Sequence, residues 1–91
     1  MTVLMLDGSS IENLSQLHTA FMRAFSFPEW YGKNFDALFD CLTDVEEEAV
    51  IRVTEQTQLR EHLGMDAVNT LRHVLADAAA ENPNLKIEYM E

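Results

Sequence analysis

Positive charge, cysteine and long apolar runs are all scarce in this 91-residue sequence. Lysine and arginine number 6 against 16 aspartates and glutamates, a formal charge of −10 at pH 7. At long range such a chain is repelled by nucleic acid and by anionic membranes, so neither is an expected partner and a basic partner is the physical alternative. Ordinary solvation of a surface also produces an acidic composition, so charge excludes partners more firmly than it selects one. Cys41 is the only cysteine. No disulfide can therefore form within the chain, which fits a reducing, cytoplasmic setting. No apolar run reaches membrane-spanning length. The opening MTVLMLDG lacks the basic start and long apolar stretch of a secretory signal, so none is expected. At this length, with 47% hydrophobic residues, one small globular domain over residues 1–91 is expected, with function carried on its surface.

The motifs of common active sites are absent too. There is no HExxH, no glycine-rich phosphate loop and no Cys/His pair suited to nucleophilic chemistry. The run DVEEE lacks the spacing and the turn glycine of an EF-hand calcium loop. His18, His62 and His73 are scattered and read as packing or surface residues. Asp36 and Asp40, four apart, could bring two carboxylates together for acid–base or metal chemistry, but one helix face is not an active site. The chain is read as a non-enzyme that needs no cofactor and no metal.

What is present is an alternation of strand-like and helix-like segments, without repeats or an internal linker. TVLML is a short apolar strand closed by the turn DGSS. In NLSQLHTAFMRAF, Leu14, Leu17, Phe21 and Phe25 recur at spacings of three and four, the mark of a helix with one buried face. Asn34 is an N-cap for a second helix over residues 35 to 43, and AVIRVT reads as a β-branched strand. A third helix is expected from about Glu55 to Leu63 with Gly64 as its stop, then a fourth, capped by Asp66, to about Glu81. NPN turns the chain into a last strand, LKIEYM. Strands separated by helices pair in parallel through right-handed crossovers, so the expected fold class is α/β: a small three-stranded parallel sheet packed with about four helices.

At roughly 100° per residue, Phe35, Leu38 and Leu42 of the second helix point together towards a core, while Asp36, Asp40 and Thr43 gather on the opposite side. Phe39 lies between, a partly exposed aromatic beside carboxylates, which suits a protein contact but would also suit the border of the core. From Asn34 to Glu48 there are six acids and no lysine or arginine. Just upstream, Trp30 and Tyr31 stand in a loop, where either ring could be presented to a partner or fill the core. On the fourth helix Thr70, His73, Asp77 and Glu81 share one face; Val68, Leu71, Leu75 and Ala78 form the other.

The segment PEWYGKNFDALFDCLTD resembles the signature of the barstar family, intracellular inhibitors of the ribonuclease barnase. The likeness extends along essentially the whole chain, through the first strand ending in DG, the LH of the first helix, the Pro28 loop and the acids of the last helix. It implies a cytoplasmic protein, a monomer when free, whose partner is a basic extracellular-type (barnase-like) ribonuclease. In the family, the second helix and the loop before it enter the nuclease cleft, where a carboxylate replaces a substrate phosphate among Arg, Lys and His side chains. On this pattern Asp40 matches the central carboxylate and Asp36 its companion, while Asn34 and Thr43 match contact positions at the two helix ends. Trp30 stands where the family has a contact tyrosine, Phe39 where it has a tryptophan, Asp77 where it has a glutamate, and Glu81 is an acid as in the family. There are departures: Val45 for an aromatic contact, Asp44 for a glycine, Lys33 for an acid, and Phe35 for a smaller leucine. Phe35 and Asp44 are kept among the candidate partner-binding residues, and with these departures the target need not be barnase itself. The alternative is an acidic protein-binding module, or nucleic-acid mimic, for a basic partner that is not a nuclease.

Overall fold

The computed structural model describes residues 1–90. The elements run β1 (Thr2–Asp7), α1 (Leu14–Phe25), α2 (Phe35–Thr43), β2 (Ala49–Thr54), α3 (Gln56–Leu63), α4 (Met65–Glu81) and β3 (Leu85–Tyr89). The strands form one parallel sheet in the order β1-β2-β3, with Leu4 opposite Ile51 and Ile51 opposite Ile87. This is the expected α/β architecture of four helices and a small parallel sheet.

Alternation along the strands sorts the two sheet faces. Leu4, Leu6, Ile51 and Val53 are buried and meet the core residues Leu17 and Phe21 of α1, Leu38 and Leu42 of α2 and Leu71 and Leu75 of α4. The other face carries Val3 and Met5, both about half exposed, in register with Lys86 and with an ion pair in which Arg52 Nε donates to Glu88 Oε1 at 2.7 Å. That hydrogen bond holds the Glu88 carboxyl below its usual range.

Most boundaries follow local chemistry. The Asn13 side chain accepts from the Gln16 N–H and the Asn34 side chain from the Ala37 N–H, so α1 and α2 start where an Asn cap precedes an apolar period. The Asp7 carboxylate accepts from both the N–H and the hydroxyl of Ser9, closing the turn after β1. The residue between Asp7 and Ser9 has to be glycine, because a Cβ on Gly8 would lie 2.1 Å from the Glu55 carbonyl oxygen.

Two expectations are corrected. Asp66 does not cap α4, which begins one residue earlier at Met65 with no side-chain cap. Gly64, at φ 88°, ends α3 by donating to the Arg60 carbonyl and opens α4 by accepting from Val68. The two helices share this one residue, so no place for an Asp cap exists between them. Asp66 sits instead in the first turn, where its charge complements the helix dipole. Leu14 is not buried: it opens α1 and is 40% exposed, while Leu17, His18 and Phe21 supply the buried side and Ile11 the apolar anchor ahead of the helix.

Candidate functional site

The candidate site is built on α2, whose nine residues pack on α4. Leu38 and Leu42 are fully buried, and burial of each contributes about 1.5–3 kcal/mol. With that face fixed, helical spacing turns Asp36, Asp40 and Asp44 outward, and all three are exposed. Phe35 and Phe39 lie at the border, half-buried. Opposite them α4 contributes Val74 and Asp77. Phe35, Asp36, Phe39, Asp40, Val74 and Asp77 line one open groove of about 470 Å³ between the two helices.

The chemistry of this groove is one-sided. Three carboxylates surround an apolar floor of two phenyl rings and a valine, and no lysine or arginine lines it. The one ion pair among the described residues, Arg52–Glu88, lies on the open sheet face, so these carboxylates have no internal cationic partner. Carboxylates so placed are strong acceptors for guanidinium and ammonium groups, and the apolar floor strengthens such bonds by excluding water. Among the described residues no group of His, Cys, Asp and Glu is placed to hold a metal ion. No helix there is long and apolar enough to cross a membrane.

The other candidates fall around the groove rather than in it. Asn34 is occupied in capping, its Oδ1 accepting from the Ala37 N–H at 2.8 Å. The Thr43 hydroxyl donates to the Asp40 backbone carbonyl at 2.9 Å. Glu81 is exposed one turn beyond Asp77, outside the groove lining. Trp30 is 72% exposed and, with Asp44, lies on the opposite flank of α2. Its neighbour Tyr31 is the buried ring of the pair, 5% exposed.

A run of packed aromatics, with Phe21 and Tyr31 buried and Phe25 and Phe27 half-buried, holds the loop that carries Trp30. Ring centroids follow one another from Phe21 to Phe25 at 6.5 Å, Phe25 to Phe27 at 5.7 Å and Phe27 to Tyr31 at 5.0 Å. His18 then links Tyr31 at 5.8 Å to Phe35 at 5.3 Å, so core, loop and first residue of α2 are in one chain of contacts. His18 Nδ1 and the Tyr31 hydroxyl are 2.6 Å apart, and the hydroxyl donates when Nδ1 is unprotonated. Burial, helped by the nearby Lys33 charge, pushes the His18 imidazolium to a pKa below its ordinary value, and burial raises that of Tyr31. The Tyr31 N–H donates to the Pro28 carbonyl at 2.9 Å, closing the turn that displays Trp30.

The far end of α2 is held by a residue that the sequence marks only as part of a turn. Asn82, 5% exposed, donates from Nδ2 to the carbonyls of Leu42 at 3.0 Å and Val45 at 2.9 Å. Its Oδ1 accepts from the Asn84 N–H at 3.0 Å, which fixes the orientation of the amide. The C-cap residue of α4 thus bonds the Leu42 carbonyl in the last turn of α2 and the Val45 carbonyl in the turn that follows. Val74 was also missed, being one of several apolar residues on α4 with nothing in its spacing to separate groove from core.

A family model described as Barstar (barnase inhibitor) matches residues 1–89. The chain belongs to the Barstar family. A candidate ribonuclease inhibitor of Bacillus subtilis (strain 168), YrdF, is 44% identical over 43 residues, 47% of this chain. The match spans about half of that relative's own length, 47%. In this Barstar-family chain the matched region takes in every element described above.

Two outcomes follow from the buried polar groups. Asn82→Asp keeps the shape but replaces the donor by a carboxylate facing carbonyl oxygens; it is expected to lower unfolding free energy by roughly 1–3 kcal/mol or more in urea denaturation. Asn82→Ala should show a similar loss. For His18 the folded protein favours the neutral ring, so its pKa lies below the ordinary 6.5 of an unfolded chain. Its contribution to stability is complete above about 6.5 and is lost as pH falls towards the lower folded value, because unfolding then takes up a proton. The melting temperature should decline across that window, and a folded His18→Gln protein should show a flatter profile there.

Proposed function

We propose that this chain inhibits a basic, barnase-type ribonuclease by binding across its active site with α2 and the loop before it. One observation carries this: Asp36, Asp40 and Asp77 gather around a single groove floored by Phe35, Phe39 and Val74, with no cation among its lining, in a chain of the Barstar family. A nuclease cleft that binds a phosphodiester presents cationic side chains at fixed spacing. Carboxylates on a rigid helix can meet those groups without the entropy loss of a flexible loop, and charge-assisted, often bidentate hydrogen bonds result. Asp40, at the middle of the exposed ridge, takes the place of the substrate phosphate. Asp36 and Asp77 stand to one side as companions, and the Phe39 ring excludes water from the contact. Asn34 and Thr43 bring the two helix ends to the partner, Trp30 and Asp44 the loop side, and Glu81 the outer rim of α4. The protein acts in the cytoplasm, where it shields the producing cell from a nuclease made for export.

The negative charge of the chain also sets how the complex forms. Between about 0.01 M and 1 M salt the screening length falls from roughly 30 Å to 3 Å. Association with a basic partner should therefore slow steeply while dissociation changes little. Stopped-flow mixing with barnase and other small basic microbial ribonucleases, alongside an RNA-hydrolysis assay, provides the test. The parent should abolish hydrolysis by at least one of them at one-to-one stoichiometry. Asp40→Ala should remain folded by circular dichroism and dissociate more than roughly tenfold faster, since a hydrogen bond to a charged group contributes about 1.5–3 kcal/mol. Parental binding by the folded variant, or no binding to any of these nucleases, overturns the proposal.

A further inference from the structure

The second groove, on the other flank of α2, is not part of the Asp36–Asp40–Asp77 cluster. It encloses about 500 Å³ between the α1–α2 loop and the turn after α2, and Phe25, Phe27, Cys41 and Val45 form its apolar surface. Trp30 stands beside it, 72% exposed, although the rings of Phe27 and Tyr31 around it are packed together. A large apolar ring held in water by a well-anchored loop is an unpartnered contact surface. The rim is acidic, with Asp44, Glu46 and Glu47, and no lysine or arginine lines the groove. Glu47 accepts a hydrogen bond from the Thr2 hydroxyl, a neutral donor that leaves its charge uncompensated. The Cys41 thiol is pushed towards its protonated form by burial, then by Asp44 and Asp40, so the apolar surface adds no charge of its own.

Few side chains satisfy both halves of this surface. An anionic group is repelled by the rim. A purely apolar group would cover the floor but strip water from carboxylates without replacing its hydrogen bonds. A lysine ammonium suits the rim, yet it is more strongly hydrated than a guanidinium and has no plane to lay on the indole face. Arginine matches every part: an aliphatic stem for Phe27 and Val45, a planar cation for the Trp30 ring, and a fork of donors for Asp44 and Glu46.

We propose that this groove is a second docking point, which takes an arginine side chain of the bound protein between Trp30 and the acidic rim. The identity of that protein rests on the ribonuclease reading; the chemistry of the groove does not. The test is a nuclear magnetic resonance titration of the labelled, full-length protein with N-acetyl-arginine amide, using the neutral citrulline analogue as control. Signals of the Trp30 indole, Phe27 and Val45 report on this groove, and those of Asp36, Asp40 and Asp77 on the other.

The expected result is a saturable shift of the first set with the arginine probe only. Its midpoint should rise about five- to tenfold in Asp44→Asn/Glu46→Gln, and, read at Phe27 and Val45, in Trp30→Ala. Asp40→Ala should retain the response. Equal shifts with citrulline, an unchanged midpoint in the charge variant, or shifts confined to the Asp36, Asp40 and Asp77 set overturn the proposal. Nuclease binding in the presence of any of these results leaves the ribonuclease reading standing, whereas a groove that takes arginine in a protein that binds no nuclease overturns that reading alone. Concentration-dependent dimerisation in sedimentation that occludes the same signals would make a second copy the occupant and also overturn the proposal.

Discussion

The packing of α2 on α4 is the constraint on which the rest of the molecule depends. A helix of nine residues is marginal in water by itself, since nucleation is costly and few hydrogen bonds repay it. Here Leu38 and Leu42 give it a reason to exist, and their burial also decides its rotation. Once that rotation is set, Asp36, Asp40 and Asp44 have nowhere to go but outward. The two grooves are its geometric result: one where α2 meets α4, the other where it meets the loop that leads into it.

Both ends of α2 are tied by asparagine side chains, an exposed one at the start and a buried one at the finish. Asn34 caps the start from the preceding loop, and Asn82 reaches from the end of α4 to the carbonyls at its finish. The loop itself is fixed by the His18–Tyr31 hydrogen bond within a run of rings in edge-on, tilted and stacked contact. A buried imidazole and a buried phenol each cost free energy unless paired, so each restricts the other to one arrangement. Trp30 is exposed because its neighbour is not: Tyr31 turns inward to His18, and the tight turn from Pro28 leaves the indole on the outside.

Periodicity made most of this legible in the sequence. The three strands, the parallel sheet, the Asn34 cap, the bounds of α2 and the buried stripe Val68, Leu71, Leu75 and Ala78 all follow from short-range rules, and the structure has them. The two corrections concern competition at element ends, where Gly64 displaces Asp66 as the cap and Leu14 is too early in α1 to reach the core. Of the site, the outward acids and the borderline Phe39 could be read from a helical wheel. The pairing of Asp77 with Asp36 and Asp40 rested on family resemblance, because it depends on how two helices dock. Val74 and Asn82 gave no sign. A single side-chain amide that bridges residues about forty positions apart leaves no local pattern, and only the three-dimensional packing distinguishes it from an ordinary turn asparagine.

The charges of α2 run against helix stability. Asp36, Asp40 and Asp44 follow one another at i, i+4, and like charges at that spacing each cost a few tenths of a kcal/mol, about 0.2–0.5. Asp36 in the first turn is favoured by the helix dipole, but Asp40 and Asp44 lie towards the C-terminal end, where the last turn holds no basic residue to offset them. A helix selected only for stability would place Lys or Arg there. Here a local rule is broken while the surrounding fold obeys it, the pattern expected at functional or strained positions. The compensation is visible nearby, in the Asn82 amide donating to the same end of the helix and in the two fully buried leucines beneath it. Those neutral contacts stabilise α2 without cancelling its field. Adding internal ion pairs would stabilise it as well, but would occupy the carboxylates that, in the proposed function, meet a basic partner.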